Sequence, residues 1–160
     1  MTLWNVSLWA LVLDQVSKAA IVRYCRLEES IPLIQNFFYF TYILNSGAAF
    51  GFMSNTQSAV RIPFFVTITI GAGLIVYAYQ RFIPSEQTWT RFALGLIWGG
   101  AMGNFIDRVI HGRVIDFIDV RYYQHQWYVF NVADSCITVG LTILILGYWF
   151  GKSGTPAERV

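Results

Sequence analysis

The chain has 160 residues, of which 56% are hydrophobic, 18% aromatic and only 12% charged, and its mean hydropathy is +0.49. Soluble domains carry about 25% charged residues, so this composition excludes an ordinary water-soluble fold, and the many Phe, Tyr and Trp residues exclude disorder. A formal charge of +2 with no basic run excludes a nucleic-acid surface. What remains is a single integral membrane domain, residues 1–160.

A bilayer core of about 30 Å takes around 20 apolar helical residues. Four segments approach that length: residues 3–22, 62–79, 92–110 and 128–150. The first contains Asp14 and Lys18. The second has no charge, the third carries Asp107 and Arg108 near its end, and the fourth carries Asp134 near its start. Residues 1–13 have no basic lead and do not read as a cleavable signal peptide. Between the first two spans, residues 23–61 do not read as helix throughout. The stretch 36–44, NFFYFTYIL, is dense in aromatic and β-branched residues and ends at the turn signal Asn45-Ser46-Gly47, which predicts a strand and hairpin. Residues 81–91 form a short polar connection containing Pro84, and residues 111–127 mix Asp with Tyr, His and Trp. The expected fold is a membrane all-α core, a four-transmembrane-helix bundle, with a small β-rich extracytoplasmic element between helices 1 and 2.

An even number of spans puts both termini on one side, together with the 81–91 connection. Basic residues do not orient the chain: Arg81, Arg91, Lys152 and Arg159 lie on the terminus side, against Lys18, Arg23, Arg26, Arg61, Arg108, Arg113 and Arg121 on the other. Depth is readable without orientation. At 1.5 Å per residue, Asp14 lies roughly 18 Å along its span from the terminus face, Asp107 roughly 22 Å, and Asp134 roughly 24 Å back from Phe150. Three carboxylates on three helices therefore share one layer, in the half of the membrane nearer the long connections.

Carboxylates in a membrane pair, face the bundle interior or serve chemistry. Asp14 and Lys18 form an acid-before-base i,i+4 pair, read as an anchor, and Asn104, Asp107 and Arg108 share a helical face, read as a hydrogen-bonded scaffold. Asp134 has no basic residue three or four positions away, only Asn131, Ser135 and Thr138 to hydrogen-bond it, and so points to proton chemistry. A partner carboxyl is then wanted. Asp116 and Asp119 both lie just beyond the third span, and spacing does not choose between them. Two carboxyls sharing one proton supply a base for water and an acid for a carbonyl.

Other chemistries have little support. His111 and His125 stand fourteen apart without an HExxH pattern, and no GxSxG occurs. Cys25 and Cys136 read as packing thiols. Gly99 and Gly103 read as close helix packing, and Tyr122, Tyr123, Trp127 and Tyr128 as an interfacial belt. A proton-coupled transporter also places acids at mid-membrane, but the sequence shows none of the internal repeats common in that class.

Five blocks carry a resemblance: Asp14-Gln15-Val16-Ser17-Lys18; Asn45-Ser46-Gly47-Ala48-Ala49-Phe50-Gly51; Gly99 through Arg108 (GGAMGNFIDR); Val114-Ile115-Asp116-Phe117-Ile118-Asp119; and Phe130-Asn131-Val132-Ala133-Asp134-Ser135. In content and order they resemble bacterial lipoprotein signal peptidase, signal peptidase II. The resemblance implies an aspartyl endopeptidase of the bacterial inner membrane that cleaves prolipoprotein signal peptides just before a diacylglyceryl-modified cysteine. It places the catalytic pair at Asp116 and Asp134. It assigns substrate contact or support of the site to Asp14, Lys18, Asn45, Gly47, Asn104, Asp107, Arg108 and Asn131. It further implies cytoplasmic termini, an active site towards the outer leaflet, contact with membrane lipid and inhibition by globomycin; no metal or cofactor is expected, and the expected state is a monomer. Two stretches depart from the family pattern: the amino terminus before span one is short, and residues 121–128 match no family motif.

Overall fold

The computed structural model describes residues 2–47, 53 and 55–151. Residues 48–51 of the second motif, and Lys152 and Arg159 of the charge comparison, lie outside the described residues. Helix α1 spans Leu3–Tyr24, with Thr2 as its N-cap accepting from the Asn5 amide at 3.3 Å. Its buried positions are Leu3, Val6, Ser7, Ala10, Asp14, Lys18 and Ile21, spaced three or four apart. The stripe that buries the apolar residues therefore also buries the ion pair. Helix α2 is Ser58–Tyr79, α3 is Thr88–His111 and α4 is Val132–Gly151.

Helix α3 is central and packs against α1, α2 and α4. The packing depends on small residues. A Cβ at Gly99 would lie 2.5 Å from the Ser7 carbonyl oxygen of α1, and one at Gly100 would run into the Ala133 carbonyl oxygen of α4. The glycine spacing thus serves close helix approach, as expected. Helix α3 ends at Gly112, whose φ of 68° is the left-handed conformation that glycine adopts without a Cβ penalty.

The fold reverses the water-soluble pattern. The largest fully buried side chains are Lys18, Asn131, Asp14, Asp116 and Asp119, while Leu74, Ile75, Ile145 and Leu146 are exposed. Among the described residues, two segments are long and apolar enough to cross a membrane, Ser58–Phe82 and Val132–Phe150. Helices α1 and α3, which carry the buried Asp14, Lys18 and Asp107, are not among them.

The β element is larger than expected and draws on two connections. Strands β1 (Ser30–Ile34) and β2 (Phe38–Asn45) precede α2, but β3 (Val114–Tyr122) and the short β4 (His125–Gln126) follow α3. They form one antiparallel sheet in the order β1-β2-β3-β4. Strand β3 escapes a reading by alternation because both of its faces are covered: Val114 through Phe117 are all buried. The hairpin also turns elsewhere than expected. Its reversal lies between Ile34 and Phe38, at Asn36 with φ 62°, and not at Asn45-Ser46-Gly47. The register Ile43↔Asp116, Leu44↔Ile115 and Asn45↔Val114 lays the end of β2 beside the start of β3. Beyond β4 the chain runs back along β3, where Trp127 donates to the Val120 carbonyl and Phe130 to that of Ile118. This return delivers the start of α4 to Asp116.

Candidate active site

A buried charged cluster comes first, because it holds the helix ends in place. Lys18 Nζ lies 2.8 Å from Asp14 Oδ2 and 2.9 Å from Asp107 Oδ2, and it donates to Asn104 Oδ1 at 3.1 Å. Each acid reaches further. Asp14 Oδ1 accepts the Ala133 amide in the first turn of α4 at 2.9 Å, a carboxylate set at the positive end of the helix dipole. Asp107 Oδ2 accepts the Ile115 amide at the start of β3 at 3.1 Å. Gln15, which the sequence did not single out, ties the two acids together by donating to Asp14 Oδ2 and Asp107 Oδ1. The anchor and scaffold expected separately at Asp14–Lys18 and Asn104–Asp107 are thus a single network.

On this frame Asn131 stands at the N-cap of α4. Its Oδ1 accepts the Asp134 amide at 2.9 Å, and Asp134 Oδ2 accepts the Asn131 amide at 3.3 Å, a reciprocal capping box. The Asn131 side-chain amide donates to Asp116 Oδ1 at 2.6 Å and to Asn104 Oδ1 at 3.1 Å. Asn104 Nδ2 donates to Asp134 Oδ1 at 2.7 Å, and Asn45 Nδ2 donates to Asp116 Oδ2 at 2.8 Å. Asp116 and Asp134, from a strand and a helix, are therefore bridged by Asn131 and held by Asn104 and Asn45. Asn131 also fixes its own turn, through Ser135 Oγ donating to the Asn131 carbonyl at 2.9 Å.

The two aspartates of β3 have opposite environments. An odd separation along a strand turns Asp116 and Asp119 to opposite faces. Burial pushes the Asp116 carboxyl up to about 7, with the charge of Asp134 adding to the shift and the bonds from Asn45 and Asn131 opposing it. Burial acts on Asp119 in the same direction, but hydrogen bonds from Arg121, Thr41 and Gln126 outweigh it and hold that carboxyl below its ordinary value. Arg121 forms a close ion pair with Asp119, and its guanidinium lies 4.2 Å from the Tyr39 ring centre. Asp119 thus pins the sheet, and Asp116 is the carboxyl kept close to neutrality.

Arg108 leaves the scaffold group. Nη1 donates to the Asn104 carbonyl and Nη2 to the Gly47 carbonyl, both at 3.2 Å. Gly47 is itself placed by Asn45, whose Oδ1 accepts its amide at 2.9 Å. Asn45 thus holds the turn through one end of its side chain and Asp116 through the other. Sequence reading passed over Arg61, which is buried and bonds to the carbonyls of Thr56 and Gly112. An arginine directly preceding a charge-free span was the available signal.

Comparison with known proteins identifies the family of the chain. A family model described as signal peptidase (SPase) II matches residues 6–150. The lipoprotein signal peptidase of Syntrophotalea carbinolica is 45% identical over 137 residues, covering 85% of this chain and 83% of that protein. The lipoprotein signal peptidase of Nostoc punctiforme is 38% identical over 157 residues, covering 98% and 94%. A bacterial membrane enzyme solved by the in meso method at 2.3 Å superposes with a TM-score of 0.85 at 31% identity, covering 98% of this chain and 92% of that one. A second, solved at 1.9 Å, gives a TM-score of 0.74 at 33% identity, covering 90% of each chain. Neither the relatives nor the structural neighbours support a transporter. The chain belongs to the signal peptidase II family and is a membrane peptidase.

Proposed function

We propose that the chain is an intramembrane aspartyl endopeptidase that removes the signal peptide of diacylglyceryl-modified prolipoproteins immediately before the lipid-bearing cysteine, with Asp116 and Asp134 as its catalytic pair. The observation that carries this reading is the bridge between the two carboxyls through Asn131, together with the elevation of Asp116 to about 7. Below about pH 7 Asp116 keeps a proton that the pair can share. The ionised member takes a proton from a water molecule as that water attacks the scissile carbonyl. The protonated member hydrogen-bonds the carbonyl oxygen while negative charge develops on it, and then supplies the proton to the leaving amine.

The supporting residues divide by what they touch. Asn131 and Asn104 aim the carboxyls, and Asp14, Lys18 and Asp107 hold the ends of α4 and β3 that carry them. Asn45, Gly47 and Arg108 lie where an extended substrate backbone would pass Asp116, and they are its holders. All four helices span the bacterial inner membrane, and Asp14, Lys18 and Asp107 lie on the buried faces of α1 and α3, inside the bundle. Both termini face the cytoplasm and the sheet lies at the outer leaflet, where the exposed Tyr122, Tyr123, Trp127 and Tyr128 meet the headgroups. Acyl chains of the substrate reach the site laterally through lipid, globomycin occupies the same site, and the enzyme acts as a monomer.

The test is cleavage of a diacylglyceryl-cysteine precursor peptide in detergent or nanodiscs. Asp116→Asn and Asp134→Asn should each reduce cleavage by more than about 10³-fold with the fold retained, the scale on which loss of an essential acid or base acts. Near-normal turnover by either variant excludes the pair.

A further inference from the structure

We infer that Phe65 and Arg61, one turn apart on α2, are positioning residues that aim Arg108 at the Asn45–Gly47 turn and so set the affinity for the peptide backbone. The inference rests on the reading of Arg108 as a substrate holder. Arg108 makes two single hydrogen bonds, both to neutral carbonyls, and forms no salt bridge among the described residues. Such bonds leave a long side chain free to swing. The constraint comes from α2: the Phe65 ring centre lies 4.3 Å from the guanidinium carbon of Arg108. Stacking on a ring face fixes the guanidinium plane, which an ammonium on the same stem would not provide.

Arg61 holds the ring in register. Its side chain is buried and donates to the Gly112 carbonyl at 3.3 Å, the Thr56 carbonyl at 3.0 Å and Ser58 Oγ at 3.1 Å. Gly112 closes α3, and its amide returns to the carbonyl of Arg108 at 3.0 Å. The first turn of α2 is thereby tied to the last turn of α3, and Phe65 sits one turn further along α2 above Arg108. Neither Arg61 nor Phe65 hydrogen-bonds Asp116 or Asp134, so neither acts on the carboxyl pair directly. An arginine donating only to carbonyls and a hydroxyl, at the start of an otherwise charge-free helix, is costly in lipid unless it fixes something.

Steady-state cleavage of the diacylglyceryl-cysteine precursor peptide tests this. Phe65→Leu, which keeps an apolar side chain but removes the ring face, should raise KM about fivefold, the scale of a partly desolvated cation–π contact. Its kcat should stay within about twofold, and Phe65→Tyr should restore KM. In an Arg108→Lys background, Phe65→Leu should add less than twofold, because the ring acts through the guanidinium. Arg61→Met should raise KM in the same manner, and the Phe65 pair decides the matter if that variant fails to fold. Unchanged KM in Phe65→Leu, equal impairment of the Leu and Tyr variants, or a loss confined to kcat would each overturn the inference. Failure of the wild-type chain to cleave this peptide would instead refute the peptidase reading itself.

Discussion

The side-chain amide of Asn131 lies 2.6 Å from Asp116 Oδ1 while the carbonyl end of the same side chain caps Asp134. One residue therefore carries a helix-capping role and a site-bridging role, and these are separable by substitution. Serine caps a helix about as well as asparagine, but its hydroxyl is too short to reach Asp116. Asn131→Ser should keep its thermal midpoint within a few degrees of wild type and lose at least about 100-fold in kcat/KM. Asn131→Ala should lose activity to the same extent and also about 1 kcal/mol of stability for the missing cap. A serine variant with normal turnover would show that the bridge is dispensable.

The elevation of Asp116 predicts a pH dependence for both stability and activity. A carboxyl ordinarily near 3.8 and raised to about 7 binds its proton more tightly in the folded state than in the unfolded state. Between those two pH values the folded chain holds more protons, so this group's contribution to stability falls as pH rises from about 4 to 7 and is level beyond. Asp116→Asn should therefore gain stability relative to wild type as pH rises through that window, with the difference flattening above 7. For wild-type activity, kcat/KM should decline on the alkaline side as the shared proton is lost, with an apparent pKa near 7. Thermal denaturation and cleavage measured across this range check both trends.

The four helices were legible because their constraints are local. The carboxylates Asp14, Asp107 and Asp134 stand out against apolar sequence, and rise per residue alone puts them in one layer. The choice between Asp116 and Asp119 was not legible from spacing, since it depends on contacts from elsewhere in the chain. Thr41 and Arg121 claim Asp119, whereas Asn45 and Asn131 surround Asp116. Strand β3 was missed for a related reason, because a strand covered on both faces loses the alternation that would have announced it. Arg61 and Phe65 sat at the edge of a hydropathy window, which measures lipid affinity and says nothing of which side chain a ring covers.

Two glycines in helices should respond to alanine in opposite ways. An added Cβ at Gly103 would run into the Asp14 carboxylate, which is already held by Lys18 and the Ala133 amide, so the acid cannot retreat without breaking those bonds. Gly71 on α2 has nothing within 4 Å of the same added atom. Gly71→Ala should be neutral or stabilising by up to about 1 kcal/mol through helix propensity. Gly103→Ala should destabilise by about 1–3 kcal/mol, the usual range for overpacking. Thermal midpoints of the two variants in one detergent make the comparison, and equal behaviour would contradict the close approach of α1 to α3.

Lys18 offers the sharpest test of the anchoring network. Its ammonium compensates two acids that are almost wholly shielded from solvent, Asp14 at 0% and Asp107 at 2% exposure. Removing it leaves both carboxylates buried without a direct cation, a loss of about 3–5 kcal/mol for a broken buried pair. Lys18→Met, which keeps the apolar stem, should therefore unfold at a markedly lower temperature and purify in low yield. The loss should be partly relieved in Lys18→Met/Asp14→Asn, where one of the two stranded charges is gone while an acceptor for the Ala133 amide remains. Because Asp14 and Asp107 hold the start of α4 and the start of β3, whatever activity survives in Lys18→Met should fall with the fraction folded. If Lys18→Met retained the wild-type midpoint but lost cleavage, Lys18 would belong to the reacting groups and not to their frame.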